Sequence, residues 1–166
     1  AVMAHVHGVI ATIAPVDSQE RFEGLGVHVI REEARFKDRD TIIAGDHVIR
    51  PRRIIIATGS APVAPPIPGL AEVPYLTNET LFDNEVLPSK LIIIGGGPIG
   101  IEMAQAHRRL GADVVVLEGA TALSHDDPDL VAVVMKQLRA EGIEIKEQAM
   151  AESVAMRGED YVVTLK

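Results

Sequence analysis

The residues with the clearest chemical potential form one short run, Gly95-Gly96-Gly97-Pro98-Ile99-Gly100, which matches the pattern GxGxxG. Three glycines at that spacing let a backbone turn tightly out of a strand, come close to a pyrophosphate, and enter a helix packed against the strand. Gly95 suits the first task, Gly97 the second and Gly100 the third, with Pro98 and Ile99 opening the helix whose free N–H groups and positive end face the anion. Glu118 stands 18 residues beyond Gly100 at the end of an apolar run, where a carboxylate accepts hydrogen bonds from ribose hydroxyls. Its plain alternative is a surface acid after an ordinary strand–turn–helix. Glu102 falls in the first turns of the same helix, where the dipole favours an acid whatever the function. A second small-residue run, Ala57-Thr58-Gly59-Ser60, permits close backbone approach to a flat or phosphorylated ligand, and serves equally well as a turn.

Other chemistries are scarce. The chain has no cysteine, so disulfides, thiolate metal sites and thiol nucleophiles are excluded. His5 and His7 would share one face if their segment were a strand, but no third ligand accompanies them. A formal charge of -8 argues against a basic face for nucleic acid, and 3% aromatics leaves few candidates for stacking platforms beyond Tyr75, Tyr161 and three Phe. No apolar run approaches the roughly 20 residues that cross a bilayer, and no basic segment precedes an apolar one at the start. The expectation is a soluble, cytoplasmic protein with no nucleic-acid or membrane partner.

The glycine run needs a strand before it and a helix after it, and the sequence provides both. Lys90 to Ile94 reads as a strand and Pro98 to Leu110 as a helix with Ile99, Met103, Ala106 and Leu110 inward; Gly111 caps it. Asp113 to Leu117 is a second strand. A second helix begins on Asp127 as N-cap with Pro128 following, places Leu130, Val134 and Leu138 on one face, and stops at Gly142. Ile143 to Ile145 forms a third strand, and Ala151 to Met156 with Tyr161 to Leu165 forms a hairpin. Alternation of strand and helix implies βαβ units and a parallel sheet, so the fold class is α/β, with a Rossmann-like dinucleotide-binding unit.

The earlier residues are organised differently. Asp17 to Leu25 reads as a short helix capped by Asp17 or Ser18 and closed by Gly26. Val27 to Ile30, Thr41 to Ile43, His47 to Ile49 and Arg53 to Ala57 read as strands, the last buried on both faces. Ala61 to Gly69, APVAPPIPG, is stiff and extended. The expected division is therefore a β-rich segment over 1–64, a connector over 65–88 and a dinucleotide-binding segment over 89–166. The chain opens without Met and closes within the strand-like YVVTLK, which gives the expectation of a piece of a longer protein.

ATGSAPVAPPIPG followed by LIIIGGGPIGIEMAQAHRRLGADVVVLE resembles the pyridine nucleotide-disulfide oxidoreductases, flavoproteins of the lipoamide dehydrogenase and mercuric reductase type, and GVHVIREEARF looks like a strand of their flavin domain. The resemblance covers nearly the whole chain. It implies that residues 1–64 are a β-rich remnant of the first FAD-domain segment and that 89–166 are a truncated NAD(H)-binding domain. It places Ala34 against the FAD adenine, Thr58 and Gly59 along the flavin cofactor, and Glu102 near the meeting of nicotinamide and flavin. One departure is Glu32, where the family often has Gly. The family's own flavin glycine loop, its CxxxxC pair and its His-Glu pair do not occur in these residues. The implied activity of the whole protein is hydride passage between NADH and FAD and onward to a disulfide, in a homodimer. A stand-alone NADH-binding module, or a flavoprotein without a dithiol such as an NADH oxidase, ferredoxin reductase or transhydrogenase, would use the same motifs.

Overall fold

The computed structural model describes residues 2–166, which divide into two compact units, one through Ala61 and one from Pro62 to Lys166.

The first unit opens with helix α1 (Val2–Ile13), so His5 and His7 lie on a helix and not on a strand, where a two-residue separation turns them to different sides. A 3-10 turn over Ala14–Asp17 leads to α2 (Gln19–Gly24). Ser18 is its N-cap, the hydroxyl accepting from the Arg21 N–H at 3.2 Å, and Gly26 follows the helix at φ 86°. Three strands then form an antiparallel meander: β1 (Ala34–Asp38), β2 (Thr41–Ala44) and β3 (His47–Ile49). Asp38 accepts from the Asp40 N–H at 3.0 Å to shape the first turn, and Gly45, at φ 55°, makes the two-residue second turn.

Two expected strands are absent, and of the GVHVIREEARF segment only Ala34 to Phe36 form strand, continuing to Asp38 as β1. Val27 to Ile30 and Arg53 to Ala57 have strand composition but no neighbouring strand among the described residues to complete their main-chain hydrogen bonds. Ile55, expected to be buried on both faces, is 89% exposed.

In the second unit the chain from the proline-rich segment is tied down at Pro68, whose carbonyl accepts from the Val154 N–H at 2.9 Å. Gly69 is left-handed at φ 80°, and a β-carbon there would collide with the Val154 carbonyl oxygen, so only glycine fits this contact. Short 3-10 turns at Leu70–Glu72 and Leu81–Asp83 precede the sheet.

That sheet is parallel, in the order β4 (Lys90–Ile94), β5 (Asp113–Leu117), β6 (Glu144–Lys146). Helix α3 (Pro98–Leu110) connects the first pair and α4 (Pro128–Ala140) the second, giving two successive βαβ units. Gly111 ends α3 at φ 110°, and Asp127 caps α4 by accepting from the Asp129 and Leu130 N–H groups. The last two strands, β7 (Ala151–Arg157) and β8 (Asp160–Leu165), form a separate hairpin.

The core contains Ile101 and Ala104 of α3, Val114 and Val116 of β5, and Met135 and Leu138 of α4. Helix α3 is therefore rotated from the expected phase, and α4 in part, since Leu138 is buried as expected while Leu130 and Val134 are not. Ile99 and Leu110 are exposed on α3 and Leu130 and Val134 on α4, while the core-facing positions are Ile101 and Ala104, and Val131, Met135 and Leu138. Close contact at Gly100 sets the rotation of α3, because its absent side chain brings that face against the start of the glycine turn. The third strand is Glu144–Lys146, one residue later than expected.

Polar side chains fasten the other end of this unit. Glu141, just past α4, receives Arg109 at 2.7 and 2.9 Å, Gln137 at 2.8 Å and Gln105 at 2.9 Å, joining α3 to α4. The Arg109 hydrogen bonds, followed by that of Gln137, hold its carboxyl down at about 2, below the ordinary 4.5. Arg108 donates to the carbonyls of Glu141 and Ala112 and to the Asp113 carboxylate.

Candidate functional site at the ends of the parallel strands

β4 and β5 run in register to Ile94 and Leu117, so their carboxyl ends finish level, and the Gly95 N–H donates to the Leu117 carbonyl at 2.8 Å. Here the chain leaves β4, turns, and enters α3. Gly95 makes the turn at φ 114°, a conformation that strains any residue with a β-carbon. Gly100 has the steric role expected of the third glycine: a β-carbon would strike the Gly95 carbonyl oxygen and come within 3.4 Å of the Ile93 side chain.

Gly97 differs from both. It is the N-cap of α3 with an extended backbone, φ -75° and ψ 177°, and among the described residues no atom beyond its chain neighbours lies within 4 Å of the place its β-carbon would take. The freedom there is space, not conformation. The first helical bond is from the Ile101 N–H to the Gly97 carbonyl, so by helix geometry the Ile99 and Gly100 N–H groups have no carbonyl partner in the helix. Pro98 has no N–H to satisfy and opens the helix without loss.

Glu118 sits just beyond β5. One carboxylate oxygen accepts from the Gly96 N–H at 2.7 Å and the other from the Ala120 N–H at 2.8 Å. The acid at the end of the second strand thus holds the glycine turn at the end of the first. Gly96, only the variable position of the motif, also has no room for a side chain, since a β-carbon would lie 3.0 Å from those of both Ala122 and Glu118. The GxGxxG pattern assigns Gly96 no task, and only the third consecutive Gly in the sequence hinted at one.

Turn and loop together enclose a cleft of about 420 Å³, lined by Gly96, Gly97 and Pro98, by Glu118, and by Thr121, Leu123, Ser124, His125 and Asp126 of the loop after β5. Among the described residues, that lining carries two carboxylates and no Lys or Arg. The loop residues carry no motif and are brought to the site by pairing with other segments.

Of the remaining candidates, Ile99 and Glu102 are exposed on the first turns of α3, outside the cleft lining. Ala34 opens β1 opposite Ala44, and Thr58 and Gly59 lie in the extended segment of the first unit, all three exposed. Gly59 is left-handed at φ 68° with open space beside it.

A strand–glycine turn–helix with open space at the middle glycine, orphan N–H groups beside it, and a carboxylate at the next strand end suits a nucleotide's diphosphate and ribose. Residues 14–166 match the family described as pyridine nucleotide-disulphide oxidoreductase. The chain is 38% identical over 151 residues to a mercuric reductase of Serratia marcescens, covering 84% of this chain and 33% of that protein. It is 35% identical over 153 residues to one of Acidithiobacillus ferrooxidans, covering 86% and 28%. Among solved structures it is similar to the HOCl-induced flavoprotein disulfide reductase RclA from Escherichia coli, with a TM-score of 0.78 and 27% identity over 99% of this chain and 38% of that one. LpdA from Mycobacterium tuberculosis matches with a TM-score of 0.77 and 25% identity, over 98% and 39%. The chain thus spans about a third of the length of these relatives.

Proposed function

The chain belongs to the pyridine nucleotide-disulphide oxidoreductase family, and on that premise we propose that it supplies the NAD(H)-binding site and part of the FAD site of an oxidoreductase in which hydride passes between NADH and flavin, with a disulfide as the onward acceptor. The observation that carries this reading is Glu118, which lines the cleft beside Gly97 while holding the Gly96 N–H at 2.7 Å.

Each group has a task that follows from its chemistry. Gly97 leaves room for the pyrophosphate, and the Ile99 and Gly100 N–H groups, at the positive end of a 13-residue helix, donate to it. Glu118 uses one lone pair on each oxygen for the main chain and keeps the others for ribose hydroxyls. The absence of Lys and Arg from the lining favours NADH over a cofactor with a 2′-phosphate. When bound, the two cofactors supply the hydride chemistry; this chain's part is to bind and orient them. Glu102 is assigned to the nicotinamide end, and Ala34, Thr58 and Gly59 to FAD.

Calorimetric titration of the chain with NADH tests the reading. Saturable binding that is weakened by Gly97→Val supports it, and no binding overturns it. With only Ala34, Thr58 and Gly59 assigned to flavin, the purified chain is expected to be nearly colourless, and stoichiometric flavin absorbance would show a complete FAD site within it.

A further inference from the structure

We propose that Glu147, which lies outside the cleft lining, is a positioning residue that holds the loop after β5 in the shape the nucleotide meets. This inference rests on the assignment of the cleft to a nucleotide. Glu147 follows β6, and its carboxylate accepts from the Ala122 N–H at 3.0 Å. Ala122 is 1% exposed, so without that acceptor its N–H would be buried and unsatisfied. The Ala122 methyl group also lies 3.0 Å from where a Gly96 β-carbon would be, and the next N–H, that of Leu123, donates to the Gly96 carbonyl at 3.0 Å.

Leu123 shows what the carboxylate holds in place. It is left-handed at φ 53°, a conformation a leucine adopts only where its surroundings enforce it, and it lines the cleft. The neighbours of Glu147 act on the same loop: the Gln148 N–H, from a second left-handed residue at φ 55°, donates to the Ala120 carbonyl, and the Ala149 N–H donates to that of Glu118. Residues 147–149 therefore back the loop from 118 to 122 with three hydrogen bonds, of which only that of Glu147 comes from a side chain. Arg139 of α4 reaches the other Glu147 oxygen at 3.3 Å, which fixes the carboxylate's orientation.

Two substitutions separate the acceptor from the charge. Glu147→Gln keeps an oxygen for the Ala122 N–H and loses the ion pair with Arg139; Glu147→Ala loses both. In the full 166-residue chain, amide exchange followed by NMR is expected to show Ala122 and Leu123 deprotected in Glu147→Ala, protected in Glu147→Gln, and the β4 and β5 amides unchanged in both. Titration with NADH is expected to give a Kd raised about tenfold in Glu147→Ala, the loss of one buried hydrogen bond, and nearly unchanged in Glu147→Gln. The inference is overturned if Glu147→Ala binds NADH as wild type does, if Glu147→Gln is as impaired as Glu147→Ala, or if the β4 and β5 amides lose protection along with the loop. If wild type fails to bind NADH, the nucleotide assignment fails, and the exchange data still decide whether Glu147 holds the loop.

Discussion

The Glu118 carboxylate and the Gly96 N–H meet at 2.7 Å across 22 residues of sequence, joining the acid at the end of one strand to the glycine turn at the end of its neighbour. The acid proposed to read the ribose is therefore also a support of the turn proposed to hold the pyrophosphate, and substituting it has two effects.

Glu118→Ala is expected to weaken NADH binding and to narrow the preference over NADPH. In wild type, a carboxylate about 4 Å from a 2′-phosphate costs about 4 kcal/mol at an effective dielectric near 20. Halved by solvent to about 2 kcal/mol, this corresponds to a preference of roughly 30-fold. Parallel titrations with the two cofactors measure it. Equal wild-type affinities, or a ratio unchanged in Glu118→Ala, would show that this acid does not discriminate.

Gly97→Val is expected to remove measurable nucleotide binding from a folded chain. A β-carbon there meets no atom of the described residues beyond its chain neighbours within 4 Å, and the backbone needs no unusual conformation. Its cost to the fold is limited to a poorer helix N-cap, about 1 kcal/mol. A melting curve near that of wild type with no calorimetric signal for NADH is the predicted pair of results, and unchanged affinity in the folded variant would remove Gly97 from the site.

Gly100→Ala, three residues on, is expected to act on stability. Its β-carbon would strike the Gly95 carbonyl oxygen, which is main chain and cannot rotate away, so α3 must shift from the sheet at about 1–3 kcal/mol. Thermal melting reads this as a lowered Tm, and a wild-type Tm would mean that helix and turn separate freely.

Glu141 gives a pH dependence of defined sign. Its carboxyl sits at about 2 in the folded chain against an ordinary 4.5, so the stability it contributes is fully present above about pH 4.5 and is lost as pH falls toward 2. Glu141→Gln is expected to lower Tm at neutral pH, with the gap to wild type closing over that window. A gap that stays constant down to the acid end would show that the contacts with Arg109, Gln137 and Gln105 do not depend on the ionised form.

The sequence by itself determined whatever is settled within a few residues or by a repeating pattern. The alternation of strands and helices from Lys90 to Lys146, the extent of α3 from Pro98 to Leu110, the Asp127 cap and the position of Glu118 after an apolar strand were all legible, because caps, glycine turns and periodicity are local signals. Tertiary structure decided the rest. In VAVVMKQL of α4, apolar residues occur on more than one side, so periodicity alone does not say which side meets the core; packing buries Met135 and Leu138, half-buries Val131 and leaves Leu130 exposed. In RIIIATGS the composition of a strand is complete, yet a strand exists only where another main chain completes its hydrogen bonds, and none among the described residues does so. For the same reason the cleft wall from Thr121 to Asp126 and its support by Glu147 carried no local signal: they are brought together by contacts about 25 residues apart, which neither spacing nor composition encodes.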